Sequence, residues 1–382
     1  MHRNVKILSW FNFFIDFIFY TPIAVLYFSR VSGSFALGMS IFSVVQVSSA
    51  VLELPTGIFS DMIGRKNTVV AGAVFSLFAV ISYALGGSYW MLLLGALLEG
   101  TGRAFYSGNN EALLHDSLAE SHSESDYDKH YGNMNGYNST GAAIVALTGS
   151  MLASVSFSLV FWISLIPRII LVVLSLQLVE PTVHSEKSTN IYAHLREALA
   201  VFRTNKKIQL LTIISALRNA LYEGAYTFRT AFVATLWPVW ALGLANTISN
   251  IGAAMSFFYS GAILKRFGYK RVLVFELVIN RVINVLALVF PSVVSPACMG
   301  LTSLLYGATT TAVSTLQQKE FTTKQRATLG SLSSLFGSIA FGFVAVGLGA
   351  VGDKIGPAHA LLIIQACILT ILIFYHRFFS VR

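Results

Sequence analysis

Charged residues are scarce in this chain. Asp, Glu, Lys and Arg make up only 11% of its 382 residues, whereas a soluble domain averages about 25% charged residues. Hydrophobic residues make up 55%, and the mean hydropathy is +0.69. A chain with so little charge cannot cover its whole surface with groups that bind water. The composition therefore excludes an ordinary soluble domain and predicts a protein whose solvent is a lipid bilayer.

Cysteines and enzyme motifs are few as well. The two cysteines, Cys298 and Cys367, lie inside apolar segments, without an exported pair and without metal-ligand spacing. We therefore expect neither a disulfide framework nor a bound metal, and we interpret both cysteines as packing residues. The chain has no Gly-x-Ser-x-Gly, no His-Glu-x-x-His and no phosphate loop. An enzyme is disfavoured for that reason, and no cofactor is expected.

Long apolar runs, by contrast, are abundant. About 20 consecutive apolar residues are needed to cross a hydrocarbon core about 30 Å thick. Twelve runs of this kind follow each other along the chain: 7–29, 36–59, 68–86, 89–112, 133–153, 157–179, 208–235, 239–264, 271–290, 294–317, 327–351 and 358–376. The sequence therefore predicts twelve transmembrane helices, numbered below as segments 1 to 12.

The basic residues lie mostly on one side of the predicted membrane segments. Nineteen of the 26 Lys and Arg lie at the termini or in the connections after even-numbered segments, two (Arg30 and Lys354) lie in the opposite loops, and five lie inside segments. Cytoplasmic loops of membrane proteins carry such an excess. We therefore predict a multi-pass protein of the cytoplasmic (inner) membrane with both termini in the cytoplasm. Because this bias explains the net charge of +9, we expect no nucleic-acid partner.

Polar side chains interrupt the apolar segments of the first half. Asn12, Asp16 and Tyr20 follow each other at four-residue steps, which predicts one shared helix face in segment 1. Ionisable groups at membrane depth usually face a bundle interior or a water-filled cavity, so we interpret Asp16 as functional or as the partner of an Arg. Segment 6 holds Arg168. Segment 4 carries one predicted polar stripe: Glu99, Arg103, Tyr106 and Asn110.

The second half carries a similar polar set. Segment 7 presents one broad polar face, which comprises Arg218, Asn219, Tyr222, Glu223, Tyr226 and Arg229. Such a face is hard to place against lipid, so we predict that both halves direct these side chains toward a shared centre. The predicted solute-binding residues are Asn12, Tyr20, Arg103, Tyr106, Arg168, Arg218, Tyr222, Tyr226, Asn250, Arg281 and Tyr306.

The loop between segments 2 and 3 has a recognisable pattern. It reads Gly57-Ile-Phe-Ser-Asp61-Met-Ile-Gly64-Arg65-Lys66, and a weaker copy follows 204 residues later at 261–271. The pattern resembles the loop signature of the major facilitator superfamily, in which Gly, three residues, Asp, a base, any residue, Gly and two bases follow each other. Met62 stands where the first base is expected, and Lys265 stands where the second copy should have its acid.

The resemblance implies a fold. Members of that family are all-α membrane proteins with twelve transmembrane helices in two pseudo-symmetric six-helix bundles, which would comprise residues 1–180 and 208–382 here. The halves rock about a solute site near the midplane. In the linker 181–207, apolar residues at helical spacing predict an amphipathic helix on the inner membrane surface; they are Ile191, Leu195, Ala198, Leu199 and Phe202.

The resemblance also implies a cytoplasmic gate at the signature loop. It assigns Asp61 a contact with the neighbouring bundle while the cytoplasmic side is closed, where the positive end of a helix would favour a carboxylate. The candidate partners of Arg65 and Lys66 are two acids at the inner end of segment 4, Glu111 and Asp116. The predicted gate residues are Gly57, Asp61, Gly64, Arg65, Lys66, Glu111 and Asp116. The alternative is a positive-inside turn without a gating role.

The ionisable residues inside the segments indicate the kind of solute. Five Arg stand against three deep acids, Asp16, Glu99 and Glu223. Arg keeps its charge and binds carboxylates or phosphates through its fork of donors, whereas an acid in a low dielectric can cycle a proton near neutral pH. We hypothesise proton-coupled secondary transport of a small organic solute by alternating access. An anionic or zwitterionic solute is favoured, and the three acids are the candidate proton carriers.

Two questions stay open on the sequence alone. Segment 5 lacks the Gly-Pro pair of many exporters of the resembled family, whereas the aromatic residues of segments 1 and 7 would suit export of an amphipathic compound, so efflux and uptake both remain. The competing class is a non-transporting sensor or partner-binding scaffold of the same fold, which predicts a filled centre with every Arg paired. We expect a monomer whose partners are the solute, protons and the bilayer.

Overall fold

The computed structural model describes residues 3–120, 122–123, 126–181, 202, 205–320 and 326–380. These residues form helices and connections without a β-strand, as expected where backbone groups must find hydrogen bonds within their own segment. The α-helices are α1 Arg3–Ile15, α2 Ala24–Ser32, α3 Phe35–Ile63, α4 Arg65–Leu85, α5 Tyr89–Tyr106, α6 Asn109–Ala119, α7 Tyr127–Val155, α8 Phe157–Ile163, α9 Leu165–Leu176, α10 Lys206–Val233, α11 Leu242–Phe267, α12 Tyr269–Val289, α13 Ser295–Leu301, α14 Tyr306–Glu320, α15 Arg326–Ile355, α16 Pro357–Leu369 and α17 Ile371–Ser380.

Each of the twelve predicted segments is largely helical. Among the described residues, six stretches are long and apolar enough to cross a membrane: Phe35–Glu53, Arg65–Leu85, Phe157–Leu176, Tyr269–Val289, Leu332–Ile355 and Pro357–Ser380. The most polar predicted segments, such as segments 1, 4 and 7, are not in this set. Their polar side chains lower the hydropathy and line the internal cavities described below.

The prediction of one continuous helix in segment 1 is wrong. Helix α1 ends at Ile15, residues 16–20 are not helical, and α2 begins only at Ala24 after a short 3₁₀ turn. Pro22 gives the physical reason, because its ring lacks an N–H and clashes with the carbonyl four residues earlier in a helix. Asn12, Asp16 and Tyr20 therefore do not share a helix face.

Segment 4 is interrupted too. Helix α5 ends at Tyr106 and α6 begins at Asn109, with Gly108 between them at φ 72°. This left-handed conformation suits glycine and ends the run of helical hydrogen bonds. The predicted stripe is therefore wrong at its last member, because Asn110 belongs to a different helix from Glu99.

The described chain separates into two compact units. Unit 1 comprises Met1–Gly33 and Val44–Ser188, and unit 2 comprises Ser34–Ser43 and Thr189–Arg382. Helix α3 therefore contributes its first turns to unit 2, where the Asp353 carboxylate accepts hydrogen bonds from the backbone N–H groups of Phe35 (2.7 Å) and Ala36 (2.9 Å). Such a carboxylate satisfies the open donors of a helix N-terminus. The amphipathic helix predicted in 181–207 lies almost entirely outside the described residues.

The break in segment 1 is held by close backbone contacts within unit 1. A Cβ atom at Gly141 or Gly149 of α7 would collide with the backbone oxygen of Phe13 or Phe19, respectively. Only glycine permits this approach between two membrane helices. From α9, the Arg168 guanidinium donates a hydrogen bond to the Ile15 carbonyl at 2.8 Å. This bond satisfies one of the carbonyls that the end of α1 leaves open.

We predict that Gly149→Ala lowers the thermal unfolding midpoint of the purified protein. Moving the backbone of residue 19 away from a new methyl group is a form of overpacking, which costs about 1–3 kcal/mol. Gly136→Ala on the same helix is the matched control, because nothing lies within 4 Å of a Cβ there. The control should leave the midpoint unchanged or raise it. Equal midpoints for the two variants would show that the close approach is not needed.

Candidate functional site

Unit 1 contains a polar cavity of about 400 Å³. It lies beside the break in segment 1, where Asn12 of α1 and Asp16, just after the end of α1, both reach its wall. Asn12, Asp16, Glu99, Arg103, Tyr106, Asn110, Glu111 and Arg168 line it together with Gln46 and Ser49 of α3 and Tyr131 and Asn135 of α7. The structure thus brings together most of the polar side chains that the sequence singled out in the first half.

The Glu99 carboxylate in this cavity is fully engaged. Its Oε1 accepts hydrogen bonds from Arg103 Nη2 at 2.7 Å and Nε at 3.1 Å, and its Oε2 accepts one from the Tyr83 hydroxyl at 2.9 Å. Glu99 and Arg103, four residues apart, thus form an ion pair within α5. Three donors therefore occupy the oxygens of Glu99, which leaves this carboxylate bound within the protein.

Asp16 has a different environment. Its side chain is exposed to the cavity, and its Oδ2 accepts a hydrogen bond from Asn138 Nδ2 of α7 at 3.0 Å. Among the described residues it forms no ion pair with an Arg, so the structural alternative considered for Asp16 is not observed. This carboxylate is therefore accessible to water and to a solute in the cavity.

Tyr20 is placed away from the cavity wall. It is buried, stacks on Phe161 with 4.7 Å between ring centroids, and also meets Phe28 and Tyr83. The reason is the break after Ile15, which turns Tyr20 out of register with Asn12. The sequence analysis assigned Tyr20 to the solute site because of a helix face shared with Asn12. That shared face is not observed, and the Tyr20 ring packs in an aromatic core instead.

Unit 2 contains two neighbouring cavities of about 300 and 200 Å³. Tyr222, Glu223 and Tyr306 line both of them. The larger one also meets Arg281 of α12 and Gln365 of α16, and the smaller one meets Arg218 of α10. Among the predicted binding residues of the second half, Arg218 lines the smaller cavity, and Tyr222, Tyr226, Asn250, Arg281 and Tyr306 line the larger one.

Glu276 lines the larger cavity and connects several side chains of its wall, although it is not among the site residues predicted from the sequence. Its side chain is 1% exposed and accepts hydrogen bonds from Asn280 Nδ2 (2.9 Å), the Tyr222 hydroxyl (3.3 Å) and Arg218 Nη1 (3.5 Å). Arg218 also donates to Thr309 and Tyr375. An available signal was the four-residue step from Glu276 to Asn280, which places both on one face of α12.

Arg229 is surrounded by neutral groups. Its guanidinium donates to Ser249 Oγ at 3.0 Å, and more weakly to Asn246 Oδ1 at 3.4 Å and the Met299 carbonyl at 3.5 Å. The ring of Tyr226 lies 5.0 Å from the guanidinium carbon. No carboxylate of the described chain forms an ion pair with it. The positive charge of Arg229 is therefore solvated by dipoles and an aromatic face but not neutralised.

The signature loop of unit 1 is held by two acids. Arg65 Nε forms an ion pair with Asp116 at 2.6 Å, while the backbone N–H groups of Arg65 and Lys66 donate to the Glu180 carboxylate at 2.8 and 2.7 Å. Glu180 thus caps α4, a role that the sequence analysis missed. Glu111 accepts a hydrogen bond from Tyr131 instead. The side chain of Asp61 and the surroundings of Gly57 lie outside the described part.

Comparison with known protein families agrees with this architecture. The model of the Major Facilitator Superfamily matches residues 7–236, more than half of the chain. The chain belongs to the major facilitator superfamily. It is accordingly a multi-pass membrane protein of a secondary transporter family and not an enzyme.

Individual relatives match shorter stretches. The chain is 46% identical over 57 residues to the inner membrane transport protein YajR of Escherichia coli (strain K12), which covers 15% of this chain and 12% of that protein. It is 27% identical over 141 residues to a Na(+), Li(+), K(+)/H(+) antiporter of Planococcus maritimus, which covers 35% of this chain and 33% of that protein. The matches thus span a third or less of the length of either relative.

A solved structure matches the whole chain. The crystal structure of the nucleoside transporter NupG aligns with a TM-score of 0.81 and 18% sequence identity, and the alignment covers 99% of both chains. At this identity the likeness shows the fold. The twelve-helix, all-α architecture predicted from the sequence is thereby confirmed for this chain.

We predict that Glu180→Ala lowers the thermal unfolding midpoint of the purified protein, because it removes the acceptor of two helix N-terminal donors. Loss of such a cap costs about 0.5–2 kcal/mol. Glu180→Gln keeps one acceptor oxygen and should fall between Glu180→Ala and the parent protein. If the alanine variant unfolds at the parent temperature, water replaces the cap without cost and Glu180 does not stabilise the signature loop.

Proposed function

We propose that this protein is a proton-coupled secondary transporter that moves a small organic solute across the membrane by alternating access. The observation that carries the proposal is a polar cavity inside each unit, lined by at least one acid and one Arg. Buried charge that only held helices together would be expected to pack without space for water or solute. Space beside ionisable groups indicates that these groups meet a mobile partner.

Two acids are the proposed proton carriers. Asp16 and Glu223 line cavities, and within the described residues neither forms an ion pair. Glu99 and Glu276 each accept hydrogen bonds from three donors, so their oxygens already have partners within the protein. A proton as the coupling ion is also consistent with the partially matching antiporter from Planococcus maritimus, whose name includes H(+).

The charge inventory favours an anionic or zwitterionic solute. Unit 2 buries Arg218, Arg229 and Arg281, while Glu276 forms the single ion pair with them among the described residues. The similar proteins are named for solutes as different as alkali cations and nucleosides. Their names therefore do not indicate one solute class, and the proposed class is inferred from the side chains of this chain alone.

The non-transporting alternative is less well supported. A sensor or scaffold of this fold predicts a filled centre in which every Arg is paired. Each unit instead contains a cavity of at least 300 Å³, within the range of sites for small ligands, about 300–1,000 Å³. We therefore retain transport as the proposed function.

We propose a location in the inner membrane with both termini in the cytoplasm. The relative YajR is named as an inner membrane protein, and the positive-inside distribution of Lys and Arg supports the orientation. The gate at Gly57, Asp61, Gly64, Arg65 and Lys66 is part of the same proposal. The ion pair between Arg65 and Asp116 supports it, because it fixes the base of that loop to α6.

We predict that Asp16→Asn, Glu223→Gln or both lower solute flux driven by a pH gradient in proteoliposomes. The expected loss is roughly 5- to 150-fold, the range that corresponds to coupling free energies of about 1–3 kcal/mol. The measurement uses a panel of isotope-labelled amino acids, monocarboxylates and phosphate esters in both directions across the vesicle membrane. Solute counterflow without a gradient should persist, because exchange of bound solute needs no net proton transfer.

The matched control is Asp126→Asn, which makes the same chemical change at an exposed position before α7. It should leave gradient-driven flux at the parent level. If neither Asp16→Asn nor Glu223→Gln changes the gradient-driven flux, the assignment of the proton carrier is wrong. If no solute of the panel is moved by the parent protein in either direction, the proposed solute class is wrong.

We predict that reporters fused to either terminus lie in the cytoplasm. Alkaline phosphatase folds into an active enzyme outside the cytoplasm and green fluorescent protein becomes fluorescent inside it, so the two reporters give opposite signals at each end. A fluorescent fusion and an inactive phosphatase fusion are expected at both termini. The reverse pattern at either end would contradict the orientation predicted from the basic loops.

A further inference from the structure

Arg281 is the least satisfied charged side chain in the described part of unit 2. It is 6% exposed and lines the 300 Å³ cavity, yet its Nε and Nη1 donate to no described acceptor. Its guanidinium carbon lies 5.0 Å from the centre of the Tyr222 ring, a contact that leaves the in-plane donors unused. Buried donors without acceptors cost free energy. Their persistence beside an open space indicates a ligand that supplies the acceptors.

The charges around the cavity indicate the sign of that ligand. Glu276 is engaged by Arg218, Tyr222 and Asn280. Arg229 is held by neutral oxygens. Glu276 is already neutralised by Arg218, which lines the smaller cavity. Two Arg of the larger wall, Arg229 and Arg281, then stand against one remaining acid, Glu223. Even with Glu223 ionised, one positive charge is left that an anionic group would neutralise.

A second unsatisfied group indicates what else the ligand carries. Gln365 of α16 is 3% exposed, lines the same cavity, and its Oε1 accepts no hydrogen bond in the described chain. An N–H or O–H group on the ligand would satisfy this oxygen.

We propose that the larger cavity of unit 2 is an anion subsite, in which the fork of Arg281 binds a carboxylate or phosphate group of the solute. Gln365 accepts a hydrogen bond from a donor elsewhere on the same solute, so the solute class is a small carboxylic acid or phosphate ester that carries an N–H or O–H group. The planar guanidinium presents parallel donors that match both kinds of oxyanion. This inference rests on the proposed transport function and assigns its solute chemistry to named atoms.

The test measures binding by the purified full-length protein in lipid nanodiscs, without any gradient. Acetate and inorganic phosphate are titrated separately, with chloride maintaining a constant ionic strength, and neutral acetamide serves as the uncharged analogue of acetate. A ligand that binds the folded state raises the thermal unfolding midpoint in a saturable manner. We expect such a rise with acetate or with phosphate and none with acetamide. The anion that acts identifies the carboxylate or the phosphate class.

Arg281→Gln should abolish the rise, and Arg281→Lys should weaken affinity at least about tenfold, because lysine keeps the charge but loses the fork. The matched control is Arg271→Gln, on the same helix but exposed, which should bind like the parent protein. If neither anion shifts the parent midpoint, or if Arg281→Gln still responds, the subsite proposal is overturned.

The ligand-free midpoints separate a binding role from a structural one. Removing an unpaired buried charge relieves a cost, so Arg281→Gln should unfold at the parent temperature or above it, while Arg218→Gln should unfold below it because it leaves Glu276 without its cation. A clear drop for Arg281→Gln would show that Arg281 only holds the fold and would overturn the proposal.

Failure of this inference differs from failure of the proposed function. Anion binding that depends on Arg281, combined with no movement of any labelled solute in vesicles, supports the subsite and contradicts transport. Conversely, the parent protein could show gradient-driven flux while the Arg281→Gln variant transports the same solute with unchanged affinity. That result supports transport and contradicts the subsite.

Discussion

A charge in a low-dielectric interior must be neutralised or surrounded by hydrogen bonds, and the interiors of both units depend on this constraint. In unit 1, Glu99 is held by Arg103 and Tyr83. In unit 2, Glu276 is held by Arg218 together with neutral donors. The first network joins the consecutive helices α4 and α5, the second joins α10 and α12, and each contributes to the wall of an internal cavity. Pairing therefore both stabilises the bundles and shapes the space within them.

The groups that escape this constraint are the ones on which the functional proposals rest. Asp16 and Arg281 each line a cavity, and neither forms an ion pair with another described residue. Native proteins depart from full polar satisfaction mainly at functional sites, where a ligand completes the arrangement. A carboxylate open to protonation and a guanidinium open to an oxyanion are the two complementary parts that a proton-coupled carrier of an acidic solute needs.

The interruption of segment 1 connects the fold to this chemistry. Pro22 ends helical pairing, glycines of α7 let the broken backbone approach closely, and Arg168 caps the end of α1. Without the break, Asp16 would share a face with Asn12 and Tyr20, as the four-residue spacing predicts. With the break, Asp16 still lines the cavity beside Asn12, whereas Tyr20 is turned into an aromatic core. Discontinuous helices at ligand sites are a recurrent device of membrane transporters.

The sequence by itself determined the solvent, the all-α class, the apolar segments and the family, because these depend on composition, run length and one local motif. It also contained the pair of Glu99 and Arg103, which lie one helical turn apart. Only the tertiary structure decided that Arg218 pairs with Glu276, 58 residues away, and that Arg281 pairs with no acid of the described chain. The spacing of residues predicts partners within one helix, but partners on different helices are chosen by packing, which local periodicity does not encode.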